Sequence, residues 1–208
     1  MQSTISHHPN TAITVCDAEL IILESKIKHN AGNGILAIQQ ATVQADLCEF
    51  KDNKMPHIAG KEQTALTVLN SIFDGGKSIY LLEQSHGHIT ASSFTNSDGV
   101  QIEITEETKL TLNNCRIHDG NSNAIKASMN STLNIYDSQI TNHIMPQIVI
   151  NDSSLIFKNS ELLNGERNGF IIENYSEAFI QDSFISMHRY PQINALFEMI
   201  TINLMCKL

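Results

Sequence analysis

Few of the 208 residues are of a type and spacing that could do chemistry. Glu103 and Lys126 stand out because their spacing of 23 equals the period of the chain, which sets them on neighbouring turns of one coil. A carboxylate beside an amine could exchange protons with a bound substrate. Acid and base work on a glycosidic bond needs two carboxylates within about 5 to 10 Å, and calcium-assisted proton abstraction needs clustered acids with a Lys or Arg as base. One outward acid and one outward base satisfy neither in full. An exposed Glu103–Lys126 salt bridge is the simpler expectation, and Glu106 and Glu107, in a Glu-Glu-Thr-Lys stretch, read as a solvated turn. If the chain is an enzyme, Glu103 and Lys126 are its catalytic candidates.

The nine histidines offer a second chemistry. His86 and His88 flank Gly87, and His118-Asp119 lies near Arg116. A zinc site needs three converging ligands, and a nucleophilic site needs a Ser or Cys beside the His with a third orienting group. His29, His118 and His143 fall in what read as loops of different turns, so no metal and no cofactor is expected. Cys16, Cys48, Cys115 and Cys206 are too few and too scattered for a disulfide framework and form no CxxC pair, which fits a reducing compartment.

The elements that must carry these residues appear as a repeat. Leu110–Ile117 recurs as Leu133–Ile140, Leu155–Leu162 and Ala178–Ile185, with earlier copies at Leu20–Ile27, Val43–Phe50, Leu66–Phe73 and, more weakly, Gly87–Phe94. One small residue marks each copy: Ser25, Cys48, Ser71, Ser92, Cys115, Ser138, Ser160 and Ser183, at spacings of 23, 23, 21, 23, 23, 22 and 23. Each copy alternates apolar and polar, breaks phase at an Asn or Asp, and resumes, as two short strands joined by a bend do. Asn70, Asn114, Asp137, Asn159 and Asp182 occupy the bend, where Asn and Asp tolerate left-handed backbone geometry. One more strand lies eight residues before each copy and opens the rung, so that it is the first strand and the two of the copy are the second and third. The expected fold is all-β, a right-handed parallel β-helix of about eight rungs with three short strands per rung. A polar segment 1–10 precedes the solenoid at 11–195, and the apolar segment 196–208 is expected to cap it.

Two inward ladders follow from the alternation: Ile35, Ile58, Ile79, Ile102, Ile125, Ile148, Phe170, Ile193, and Ile27, Phe50, Phe73, Phe94, Ile117, Ile140, Leu162, Ile185. Cys48 and Cys115 fall in the small-residue column three rungs apart, about 14 Å at the strand spacing, beyond disulfide reach. The outward column of the first strand is Leu36, Ala59, Tyr80, Glu103, Lys126, Val149, Ile171 and Asn194. Ile21, Ile156 and Phe179 point outward on the second strand.

The pattern of Asn123–Ile140, a Gly- or Ala-led strand, a short turn, two alternating runs and an Asn or Asp before a small residue, resembles the pectate-lyase-like superfamily and its carbohydrate-binding-and-sugar-hydrolase type of repeat. The resemblance covers roughly residues 11 to 195. It implies the fold and leaves the activity open, since that superfamily holds lyases, hydrolases, epimerases, phage tailspikes, adhesins and non-catalytic modules.

With 13 basic against 22 acidic residues and a formal charge of −9, the chain lacks the positive excess that binding phosphate backbones requires. No apolar run is long enough to span a bilayer, and residues 1–8 lack a basic and an apolar signal region. A location in the cytoplasm, or export without a classical signal peptide as by a specialised bacterial system, is expected. The first expectation for function is a non-catalytic binding or scaffold module that meets a protein, a second copy of itself or a glycan through Tyr80, Glu103, Lys126, Val149, Ile171 and Asn194. The alternatives are a polysaccharide-active lyase or glycoside hydrolase, and a phage or surface fibre domain.

Overall fold

The computed structural model describes residues 3–195 and 199–203. Among these there is no helix, and every strand pairs in parallel with its equivalent one rung away. The third strands of the rungs form a nine-stranded sheet from Thr4–Ser6 to Phe184–Ser186. The first and second strands form one 16-stranded sheet, because in two rungs they run on without a break, as Ile125–Tyr136 and Ile148–Lys158. Three separate strands per rung therefore holds except there. A register shift between Ser128 and Ser131 lets the long strands bend around the column.

The expected ladders are in register, with Ile79 opposite Ile58 and Ile102 and Phe73 opposite Phe50 and Phe94. The three phenyl rings stack nearly parallel, at centroid separations of 4.8 and 4.7 Å. Like side chains repeat at the strand spacing, so their rings meet offset and face to face. The small-residue column carries its own bonds: Ser71 N–H donates to Ser92 Oγ and Ser138 N–H to Ser160 Oγ, each at 3.1 Å. Each hydroxyl passes its proton on to the carbonyl two residues earlier, so buried polar atoms are satisfied inside the wall. Cys48 and Cys115 take the same place as free thiols, and burial pushes both thiols up from their ordinary range.

The corner before each small residue is left-handed throughout: Asn70, Asn114, Asp137, Asn159 and Asp182 have φ between 47° and 51°. The rung with Leu47 departs from this chemistry, since a leucine holds φ 54° there while 56% exposed. A second left-handed corner, two residues long, joins the first strand to the second and reads in sequence only as a turn. It is Gln39-Gln40, Glu62-Gln63, Glu83-Gln84, Glu106-Glu107, Met129-Asn130 and Asn174-Tyr175. These non-glycine residues accept the conformation because each corner bonds to the next, as Gln63 N–H to the Glu83 carbonyl at 2.9 Å. A further hydroxyl column supports them, with Thr64 N–H donating to Ser85 Oγ at 3.1 Å.

Several expectations need correction. The polar segment 1–10 contains a strand, Thr4–Ser6, which pairs with Lys26–Lys28 and extends the third sheet. At the other end, Met199–Asn203 adds a parallel strand to Glu177–Gln181 rather than lying across it; residues 196–198 and 204–208 of the expected cap lie outside the described residues. His118 and His143 are strand residues, in Arg116–Gly120 and Gln139–His143. His143 is fully buried and reaches across two rungs to Gln101 Oε1, at 2.7 Å. The path is open because position 120 is glycine, whose added Cβ would lie 2.6 Å from the His143 ring. His57, equally buried, accepts from Asn53 Nδ2 at 2.8 Å and donates Nε2–H to the Gly75 carbonyl at 2.7 Å.

Burial of these imidazoles lowers both from the ordinary 6.5 to about 4. The unfolded chain binds these two protons near pH 6.5 and the folded chain only near 4, so stability is complete above 6.5 and drops as pH falls through that window. The loss is on the order of 3 kcal/mol for each histidine. Thermal melts from neutrality to pH about 4 should show a steadily falling Tm, with roughly half the slope removed in His143→Gln; a flat Tm would contradict the burial argument. At the corner, Leu47→Asn should raise stability by up to about 1 kcal/mol and Asn114→Val lower it by about 1–2 kcal/mol, measured by denaturant unfolding.

Candidate functional site

The first-strand column places its outward residues as the alternation requires. Tyr80 sits opposite Ala59 and Glu103, Glu103 opposite Lys126, and Lys126 opposite Val149. Ile171 pairs with Val149 and Asn194 with Ile171. Leu36, Val149 and Ile171 are half-buried and Ala59 is buried, so this column is no open apolar strip. The exposed large apolar residues of the second strand include Ile21, at 56%, and Phe179, at 38%, while Ile156 is half-buried.

The expected Glu103–Lys126 salt bridge is not the pair that forms. Glu103 pairs instead with Lys77, both half-buried at 28% and 29% side-chain exposure. Lys77 stands just before the strand Ile79–Leu81, and its Nζ lies 4.5 Å from the Tyr80 ring centroid. Stacking on the ring holds the ammonium over the face of the sheet, where it meets the carboxylate one rung on. Lys126 is left on the other side of Glu103 with no acidic partner among the described residues. The sequence held no periodic signal for Lys77, because it belongs to a turn and its contact with Glu103 depends on how that turn folds.

Tyr80 is half-buried, and burial is the main cause that pushes its phenol up from the ordinary 10. The carboxylates of Glu103, Glu106 and Glu83 add to the effect, since a phenolate beside them would be repelled. Three acids thus act through space on one phenol. Glu83 and Glu106 also line a groove of about 1010 Å³ that follows the paired left-handed corners and carries Glu62, Glu107, Asp17 and Asp152. Tyr80 and Glu103 therefore lie beside an acidic wall. The arrangement offers a hydroxyl donor, several carboxylates and two ammonium groups within one stretch of sheet.

Elsewhere the titratable groups serve local structure. His118 Nδ1 is 2.7 Å from Asp119, and hydrogen bonds from His118 and Asn142 hold that carboxyl below its usual range. His29 Nδ1 lies 3.6 Å from Asp52, and its ring meets that of His7 at a tilt, with centroids 5.5 Å apart. Among the described residues no three of His, Cys, Asp and Glu converge as a metal cluster. No helix there is long and apolar enough to cross a membrane. Cys16 is exposed and donates to Gln39 Oε1, and Cys206 lies outside the described residues.

Family and structural comparisons bear on this column of strands. The model of the right handed beta helix region matches residues 12–146 and 57–196. The chain belongs to that family. Its coil is similar to the catalytic domain of a GH87 alpha-1,3-glucanase in complex with tetrasaccharides, with TM-score 0.54 and 11% identity over 97% of this chain and 48% of that one. The chain thus spans about half the length of the glucanase domain. It is also similar to the A-modules of two Azotobacter vinelandii mannuronan C-5 epimerases. One gives TM-score 0.42 at 11% identity over 96% of this chain and 83% of that one, the other 0.45 at 8% over 95% and 80%. No curated protein matches the sequence. The expectation of a non-catalytic scaffold is corrected on this finding: the coil with a TM-score above 0.5 is that of a glucanase catalytic domain, which speaks against the scaffold reading.

The electrostatics around Tyr80 can be measured directly. Ultraviolet titration should find one of the four tyrosines ionising above its ordinary range, and Glu103→Gln should move it back down by removing a nearby negative charge. A Tyr80 that titrates like a free phenol in both forms would remove the influence of these acids from the argument.

Proposed function

We propose that the chain is a polysaccharide-active β-helix protein whose chemistry lies on the first-strand face, at Tyr80 and Glu103 with Lys77 and Lys126. The observation that carries this reading is the Lys77–Tyr80–Glu103 cluster, in which an aromatic ring and an ion pair share one half-buried stretch of sheet, with further carboxylates at the corners beside it. Lys77 covers one face of the Tyr80 ring, so the charged groups and the phenol hydroxyl are what would bond the hydroxyls of a sugar. Acid–base cleavage of a glycosidic bond calls for carboxylates flanking that sugar. Glu103, with Glu106 and Glu83 near enough to act on the Tyr80 phenol through space, supplies the residue types; the protonated phenol supplies a donor. Kinship of fold with a glucanase catalytic domain supports the same class.

Incubation of the chain with a panel of neutral and acidic polysaccharides tests the proposal. New reducing ends identify hydrolysis and unsaturated ends identify elimination. Glu103→Gln should lower kcat/KM about a hundredfold to ten-thousandfold, the range general acid–base groups contribute. Lys126→Ala should raise KM more than it lowers kcat if Lys126 only binds. Turnover that survives Glu103→Gln would place the chemistry elsewhere on the column.

A further inference from the structure

We propose that His86 and His88 chelate one divalent transition-metal ion on the outer face of the second strands, a site separate from the Tyr80 cluster. The strand His86–Thr90 alternates exposed, buried, exposed across its first three residues, so both imidazoles stand on the solvent side and Gly87 faces the core. Two residues along a strand separate their Cβ atoms by about 6.6 Å. Two imidazole nitrogens at about 2.0–2.1 Å from a shared ion close such a span without moving the backbone. The inward glycine holds its place because leucines fill the core beneath it: a Cβ there would lie 2.9 Å from Leu110 Cδ1 and 3.0 Å from Leu81 Cδ1.

The two rings are also unclaimed. Neither makes a hydrogen bond or an ion pair among the described residues, whereas His57, His118, His143 and His188 are all bonded within the fold. They line a groove of about 870 Å³ together with Glu107 and Thr111, open to the water that would complete the coordination of an ion. Two nitrogen ligands on an open face leave the other positions to water, a weak surface site for Ni²⁺, Cu²⁺ or Zn²⁺ rather than the three-ligand centre of a structural or catalytic zinc, and one that does not suit calcium. The net negative charge of the chain favours a cation. Lys109, paired in register with His86, opposes it and tunes the affinity downward.

Titration of the untagged chain with NiCl₂ by calorimetry, and with ZnCl₂ by NMR of the imidazole resonances, is the test. One equivalent should bind, the His86 and His88 signals should move together, and Lys109→Ala should tighten binding. His86→Ala or His88→Ala should each weaken it by more than the roughly tenfold to hundredfold that loss of a supporting partner costs. Both rings are exposed and unbonded, so the variants keep the wild-type melting curve. His29→Ala, which breaks the other surface pair of histidines, should leave binding unchanged. Absence of binding, binding that survives both single replacements, or binding lost in His29→Ala overturns the proposal.

Discussion

Every rung must turn its corners with the same backbone geometry, or the hydrogen bonds to the rungs on either side are lost. That constraint governs the molecule. A parallel coil has no local hairpins, so each strand is held only by equivalents about 22 residues away in sequence, and a corner that differs, as Asp152 does beside Met129-Asn130, must be absorbed by a register shift before the next strand pairs. The left-handed residues at φ near 50° are the local cost of this uniformity. Serine and threonine columns behind the corners offset it, joining neighbouring rungs through the backbone N–H of one and the hydroxyl of the next.

Uniformity inside leaves freedom outside. The inward positions repeat isoleucine or phenylalanine because a cross-section of fixed size accepts only side chains of similar volume. Where one position is small, another residue occupies the vacated space: His143 crosses Gly120 toward Gln101, and Leu81 and Leu110 close over Gly87. The outward columns carry no such volume limit. On one of them tyrosine, glutamate and lysine follow one another, and on another a histidine pair meets a lysine. Chemistry at the surface is thus set by which side chains the register brings side by side.

The burial of His57 and His143 links the interior to solution conditions. Both are hydrogen-bonded as neutral rings, so the coil holds polar groups in its core only while they stay uncharged. Stability and the electrostatics of the outer face therefore respond to pH through different groups, the first through buried imidazoles and the second through the phenol of Tyr80.

The sequence by itself determined the coil, its period, both inward ladders and the left-handed corner at Asn70, Asn114, Asp137, Asn159 and Asp182, because in a repeat each position is written about eight times and its physical demand is the same every time. It also determined which residues line the outward column, since strict alternation leaves no choice of side. Tertiary structure alone decided that Glu103 pairs with Lys77 and not Lys126, that His143 is buried over a glycine, and that the corner between first and second strands is doubly left-handed. These depend on turns, where no periodicity constrains the side chain and the final contact is chosen by distances across rungs. Neighbourhood in register placed Lys126 beside Glu103, but the shorter reach from the turn, steadied by the ring of Tyr80, gave the ion pair to Lys77.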